Sequence, residues 1–136
     1  MELEDVKKRY PGADTFQMGD SAKLSKELLD LVRSGKKVAT CTDPRDVESG
    51  KQTTPVVGKH DICLNWDGSP AFVIETLSLD HRKFKDVSEE FALAEGEDES
   101  LKGWQDSHAE YYRRNGGFDP DMMLICERFR VVEFFD

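Results

Sequence analysis

The stretch SGKKVATCTD, Ser34 to Asp43, joins a helical pattern to a strand pattern. Before it, apolar residues recur at helical spacing from Ser21 onward, and Gly35 is a favourable helix end because glycine accepts the left-handed conformation there. After it, residues 37–42 predict a short strand that ends at Asp43-Pro44. The chain therefore places two lysines and two threonines at a helix-to-strand junction.

The other segments show helix and strand patterns in no regular alternation. Residues 1–20 have no sustained period, and residues 44–55 are predicted as a long polar loop. Because helices do not regularly separate the strands, the order favours an α+β fold, a small mixed sheet or β-barrel with flanking helices, over a doubly wound parallel sheet. The predicted elements are a hairpin of strands 60–66 and 71–79, helices capped by Ser88 and Ser100 that end near Ala94 and Arg114, and a last strand over 123–135.

Composition limits the classes of function. The 136 residues carry 28 acidic and 19 basic side chains, a net charge of −9. Binding to long nucleic acids depends on neutralising phosphates, so a local basic cleft or a small nucleoside is a better expectation than non-specific binding to RNA or DNA. No apolar run suits a membrane span or a signal peptide, and the three cysteines form no C-x-x-C pair. We expect a cytoplasmic protein with buried free thiols and no membrane contact.

Lys37, Thr40 and Glu75 are the first candidate site. A buried lysine with a lowered pKa can take the proton of a threonine hydroxyl, and a carboxylate can orient the pair or relay a proton. Glu75 stands inside an apolar strand, where an ionised group is rarely without a partner. The alternatives are a helix-end charge at Lys37, β-propensity at Thr40 and a solvated or ion-paired Glu75.

The helix after Ser100 carries a second candidate site, made of aromatic and basic residues. Bases stack on aromatic rings, and arginine binds phosphate, so these side chains are candidates for substrate binding. The alternative is that the aromatic residues form the buried stripe of the helix. The candidates are Trp104, His108, Tyr111, Tyr112, Arg113 and Arg114.

Metal ligands are a weaker possibility. The three histidines lie in separate segments, and no ligand spacing is diagnostic. Glu95, Glu97 and Asp98 could hold a hard cation, but an acidic solvated loop explains them equally well. The sequence therefore predicts no metal site and no cofactor, with a divalent metal only if the protein is a ribonuclease.

Four blocks, in order, resemble the ASCH domain family. SGKKVAT (34–40) is similar to its G-x-K-x-x-T signature, and VVGKHDICLNWDGSPAFVIETLSL (56–79) to its next block. VSEEFALAEGEDESLKGWQDSHAEYYRR (87–114) and LICERFRVV (124–132) are similar to the third and last blocks. The resemblance covers about residues 16–135, which leaves 1–15 as an N-terminal extension of a single domain over 1–136.

The resemblance implies a PUA-like fold with a cleft that binds RNA or a nucleoside. Some members resemble N4-acetylcytidine amidohydrolases in which a lysine, a threonine and a glutamate act together, and Lys37, Thr40 and Glu75 match those positions. Lys36 and Arg45 are also expected to bind substrate. Arg45 corresponds to a basic residue that often follows the signature threonine in the family. The alternatives are a ribonuclease and a non-catalytic RNA-binding module that use the same cleft.

Overall fold

A computed structural model describes residues 1–135 of the chain. Within them, helices surround one five-stranded sheet. A short 3-10 turn, Phe84–Asp86, follows the longest strand. The helices are α1 (Leu3–Arg9), α2 (Ala22–Arg33), α3 (Pro44–Glu48), α4 (Glu89–Ala94) and α5 (Leu101–Arg114), and the strands are β1 (Thr15–Phe16), β2 (Ala39–Thr42), β3 (His60–Leu64), β4 (Pro70–Lys83) and β5 (Met123–Phe134).

The sheet has the strand order β1-β3-β4-β5-β2. β1 is parallel to β3, and the other neighbours are antiparallel. The long strands β4 and β5 shift register between Val73 and Ile74 and again between Thr76 and Ser78, and such bulges bend a sheet. Residues of both edge strands, β1 and β2, consequently line one cavity. The predicted α+β class, with a mixed sheet and flanking helices, is confirmed.

α2 forms where the sequence predicts it. The Ser21 side chain accepts a hydrogen bond from the Leu24 backbone N–H at 3.1 Å, and Gly35 adopts φ +83° just beyond the helix. The apolar stripe of the helix, including Leu28 and Val32, packs in one buried cluster with Phe72 of β4. This packing fixes the helix end, and with it the Lys36-Lys37 junction, against the sheet.

α4 and α5 also begin at their predicted caps. Ser88 accepts from the Phe91 N–H and Ser100 from the Gly103 N–H. Trp104 and Tyr112 of α5 are buried in a second cluster with Phe84 and with residues of β2 and β5. The aromatic stripe of α5 is therefore part of the core along much of its length.

Three segments differ from the prediction. The strand predicted to end at residue 79 continues in β4 to Lys83, where it still pairs with β5. α1 and β1 lie in residues 1–20, where seven-residue and two-residue elements are too short to produce a recognisable period. α3 occupies the start of the predicted 44–55 loop, because Asp43 caps the Arg45 N–H and Pro44 suits a first helical position. None of the helices within residues 1–135 is long and apolar enough to cross a membrane.

The N-terminal extension packs on the outer side of the sheet. Val6 of α1 is fully buried with Ile62, Val73 and Phe135 in a third cluster. Burying such a side chain contributes about 1.5–3 kcal/mol relative to leaving it exposed. Residues 1–15 are thus part of the packed structure, although they carry no periodic signal.

Candidate functional site

A cavity of ≈ 370 Å³ lies between the curved sheet and helices α2 and α5. The residues that line it include Thr40 of β2, Glu127 of β5, and Tyr111 and Tyr112 of α5. Lys37 also lines it, immediately before β2. The volume falls in the range of small-molecule sites, which is roughly 300–1,000 Å³.

Lys37 is the centre of a buried ionic network at one end of the cavity. The Lys37 side chain is 2% exposed, and its Nζ lies 2.9 Å from Glu97 Oε2 and 3.3 Å from Glu95 Oε1. Nζ also lies 3.4 Å from the Glu95 carbonyl oxygen. Trp104 Nε1 donates to Glu95 Oε2, so each Glu95 oxygen has a partner. Removing one partner of a buried charge pair is strongly destabilising, because it leaves the other charge buried and uncompensated.

The network keeps Lys37 protonated. Burial alone lowers the pKa of Lys37, but the attraction of Glu95 and Glu97 outweighs burial, and the net pKa is raised. Burial raises the pKa of Glu95, but Lys37 and His108 outweigh that effect and lower the pKa to about 2. The expected lowered pKa of Lys37 is therefore not found, because the sequence did not reveal the two carboxylates beside it.

His108 extends the network along α5. Its Nε2 lies 3.4 Å from Glu95 Oε2, and its Nδ1 lies 2.9 Å from the Trp104 carbonyl oxygen. Burial lowers the pKa of His108, whereas hydrogen bonding and attraction to Glu95 raise it, and the net shift is upward. The imidazolium form is therefore favoured at this end of the cavity.

Thr40 and Glu127 face each other in the cavity. They are register partners in the antiparallel pair β2–β5, and both line the cavity. Cβ atoms of such partners are about 4.5–5.5 Å apart. Glu127 is 6% exposed, and Thr76 Oγ1 donates to Glu127 Oε2 at 2.6 Å. Burial raises the pKa of Glu127 despite that hydrogen bond.

Glu75 lies outside the cavity. It forms an ion pair with Arg130, 2.6 Å between Arg130 Nη2 and Glu75 Oε1, and its side chain is 24% exposed. Successive residues of a strand point to opposite faces, and Thr76 is the neighbour that reaches a cavity residue. The predicted grouping of Lys37, Thr40 and Glu75 is thus corrected to Lys37 and Thr40, with cavity carboxylates from other elements.

The aromatic and basic candidates on α5 divide between cavity and core. His108, Tyr111 and Tyr112 line the cavity. Trp104 is fully buried behind His108, with ring centroids 4.4 Å apart, so it supports the wall and presents no free face for stacking. Arg113 lies outside the cavity, with its guanidinium carbon 5.1 Å from the centre of the Phe118 ring.

Of the remaining basic candidates, Lys36 and Arg45 lie outside the cavity, and Arg114 lines it. Lys36 is exposed at the end of α2. Arg45 binds Asp43 and donates to the carbonyl oxygens of Gly116 and Gly117 at 3.0 and 2.7 Å. Those contacts join α3 to the segment after α5, so the Arg45 guanidinium has a structural role and does not line the cavity. Arg114 lines the cavity but is ion-paired with Asp20 at 2.7 Å.

The carboxylates that the sequence analysis did not place in the site are Glu95, Glu97 and Glu127. The sequence leaves Glu95 as either a cation ligand or part of a solvated acidic loop, yet it is 1% exposed. The charge in an otherwise apolar run was a usable signal at Glu127, since ionised groups inside a strand need a partner. No comparable pattern marks Glu95, whose burial follows from the packing of α4 and α5 around Lys37, or the half-buried Glu97.

Glu95, Glu97 and His108 are also the residues that could hold a metal ion. One ligand atom from each lies within 4.8 Å of the others. The Lys37 ammonium already contacts both carboxylates, so a cation would have to replace it. Lys37 and a metal ion would therefore compete for the same two carboxylates.

The cysteines are free thiols. Cys41 and Cys126 are register partners in β2 and β5, with 3.9 Å between their Sγ atoms. The hydrogen bond to Cys126, burial and nearby Glu95 raise the pKa of Cys41 well above its ordinary value. Cys41 is therefore a neutral thiol in the cavity wall.

Comparisons with known proteins identify the class. An ASCH domain family model matches residues 14–133. An ASCH domain structure from Lactobacillus crispatus JV V101 is 30% identical, with a TM-score of 0.80, and covers 95% of this chain and 85% of that one. Protein EF3133 from Enterococcus faecalis V583 is also 30% identical, with a TM-score of 0.83, covering 96% and 85%.

Two further comparisons are less informative about function. Hypothetical protein PH0355 is 14% identical with a TM-score of 0.57, covering 88% of this chain and 97% of that one, and shows likeness of fold alone. A search of curated proteins gave no match. The fold and these structural neighbours thus define a PUA-like α+β protein. By the family match over most of its length, the chain belongs to the ASCH domain family.

Proposed function

We propose that this ASCH domain is a hydrolase that removes an acyl group from the exocyclic amine of a modified nucleoside, with N4-acetylcytidine as the test substrate. The observation that carries the proposal is that Lys37 and Thr40 line the same cavity. Thr40 supplies a hydroxyl nucleophile, and Lys37 supplies a fixed positive charge.

The charges of the cavity favour an uncharged ligand. Asp43, Glu95, Glu97 and Glu127 all line it, whereas Lys37 is already ion-paired. An incoming phosphate would meet these carboxylates with no free cation opposite them. A neutral nucleoside avoids that repulsion, and the Tyr111 ring offers a surface for stacking a base.

Lys37 acts in this proposal as an electrophile and not as a base. Its pKa is raised, so it keeps its proton. A tetrahedral intermediate on the acyl carbon carries a negative oxygen, and a preorganised ammonium stabilises that charge more than it stabilises the neutral carbonyl. Glu95 and Glu97 hold the ammonium in position before substrate arrives.

The ribonuclease alternative has less support in this geometry. Lys36 and Arg113, which it assigns to phosphate binding, lie outside the cavity, and Arg114 is paired with Asp20. An RNA strand would have to pass the carboxylates that line the cavity to reach Thr40. RNA that presents an acylated base to the cavity remains within the proposed substrate class.

Turnover of N4-acetylcytidine by the purified chain tests the proposal. We expect the wild type to release cytidine and acetate, which chromatography detects. Thr40→Ala should lower kcat by at least about 100-fold. Thr54→Ala is the matched control, because Thr54 is exposed and outside the cavity. Intact mass after rapid quenching should show an acetyl group on the wild type. A wild-type protein that does not hydrolyse N4-acetylcytidine would contradict the proposal. Cleavage of RNA would then be assayed.

A further inference from the structure

We propose that Glu127 is the proton shuttle of this site, moving the Thr40 hydroxyl proton to the leaving nitrogen of the substrate. This inference rests on the proposed acyl-amide hydrolysis and adds a residue to it. No motif in the sequence places Glu127 there. The assignment comes from the register of two strands and from the surroundings of one carboxyl group.

The register places Glu127 within reach of Thr40. The two residues are direct partners across β2 and β5, and their side chains project from the same face into the cavity. With Cβ atoms about 5 Å apart, a glutamate carboxylate can reach a threonine hydroxyl directly or through one water. No loop movement is needed, since both residues belong to the sheet.

Glu127 differs from the other buried carboxylates of the cavity in having no ion pair within residues 1–135. Asp43 is paired with Arg45, Asp61 with Lys59, and Glu95 with Lys37. Thr76 donates to Oε2 of Glu127. That hydrogen bond engages one of the two carboxylate oxygens, and Glu127 is among the residues that line the cavity.

The surroundings suit a group that gains and loses a proton. Burial raises the pKa of Glu127, the Thr76 hydrogen bond lowers it, Asp61 raises it and Lys59 lowers it, with a net rise. A carboxyl with a raised pKa exchanges protons more readily near neutral pH than an ordinary glutamate. The Lys37 network forms another part of the cavity wall and remains charged throughout.

The proton balance closes with Glu127 alone. The Thr40 Oγ–acyl bond forms while Glu127 carboxylate takes the hydroxyl proton, and the acyl C–N bond breaks as Glu127 returns that proton to the nitrogen. Water then attacks the acyl-threonine. Glu127 takes a proton from the water and gives it to Thr40 Oγ as the O–acyl bond breaks. Cytidine and acetic acid are the products.

Glu127→Gln tests the shuttle, with Glu75→Gln as the matched control outside the cavity. We expect kcat to fall about 100-fold or more in Glu127→Gln, with KM and cytidine binding by calorimetry within threefold of wild type. Glu75→Gln should keep wild-type kcat. A Glu127→Gln enzyme with wild-type kcat would overturn the shuttle and leave the proposed hydrolysis standing. An inert wild type would overturn both.

Thr76→Val provides a second test, the pH dependence of kcat, which would not change if Glu127 had only a structural role. The rate of the wild type should fall as pH drops through the pKa of Glu127, because protonation removes the base. Thr76→Val removes a hydrogen bond that lowers this pKa, so the acid limb of kcat should move to higher pH. An unmoved acid limb would contradict the assignment. This variant retains the carboxyl group, so it serves also if Glu127→Gln fails to fold.

Discussion

Burial and ion pairing act in opposite directions on Lys37, and their balance sets what this residue can do. Desolvation favours the neutral amine, whereas Glu95 and Glu97 favour the ammonium and prevail. The sequence places Lys37 beside Thr40 but does not indicate that Lys37 contacts the two glutamates, which lie 58 and 60 residues further along the chain. The role of Lys37 changes from a base to a fixed charge because of residues distant in sequence.

Lys37→Ala tests whether the ion pairs of Lys37 with Glu95 and Glu97 stabilise the folded protein as a unit. The substitution leaves Glu95 and Glu97 without their cation in a buried site, so we expect the free energy of unfolding to fall by about 3–5 kcal/mol. Urea denaturation followed by tryptophan fluorescence measures it. Lys36→Ala, at the exposed neighbouring position, should change stability by no more than about 0.5 kcal/mol. Equal effects of the two substitutions would show that the network is not a stabilising unit.

At the scale of elements, the turn between α4 and α5 positions the network. Gly96 has φ +75° and separates Glu95 from Glu97. A Cβ built on Gly96 would lie 2.5 Å from the Lys36 carbonyl oxygen and 2.9 Å from the Lys37 backbone nitrogen. The turn therefore packs directly against the helix-to-strand junction, and only glycine allows that approach.

Gly96→Ala should lower the free energy of unfolding by more than about 2 kcal/mol, because it adds a clash with backbone atoms to the strain of a positive φ. Gly35→Ala is the matched control, with φ +83° and no atom within 4 Å of the added Cβ, and should cost only about 1 kcal/mol. Chemical denaturation of both variants gives the comparison. Similar losses would contradict the close approach.

For the whole molecule, the net charge of −9 and the acidic cavity act together. Both oppose the accumulation of phosphates near Thr40, and neither affects a neutral nucleoside. The curvature of the sheet matters equally, because residues of β1, β2 and β5 line one cavity. Charge and shape thus favour a small uncharged ligand over a polymer.

Salt dependence separates the two kinds of ligand. We expect the Kd of N4-acetylcytidine for the Thr40→Ala protein to change less than about twofold between 50 and 200 mM salt, since no counterions are released. Calorimetry at the two salt concentrations measures it. A protein that contacts several phosphates loses roughly 10³–10⁵ in affinity over that range. A steep loss for a single-stranded RNA that binds tightly would favour the RNA-binding alternative.

The sequence by itself determined the local features of this protein. Serine caps, glycine helix ends, apolar periods and a hairpin turn act within a few residues, so α2, α4, α5 and the strands β2 to β5 were predictable. The short elements α1, β1 and α3 were missed because they are held by packing or caps rather than by a period. Lys37 and Thr40 were found because they are close together in the chain.

Only the tertiary structure decided which carboxylates share the cavity with them. Glu75 turns to the other face because strand residues alternate, and it pairs with Arg130. Glu127 faces Thr40 because of a register set between β2 and β5, and Glu95 is buried because α4, α5 and Lys37 meet there. Register, facing and burial depend on contacts between distant segments, so the pattern of a single strand or helix does not contain them.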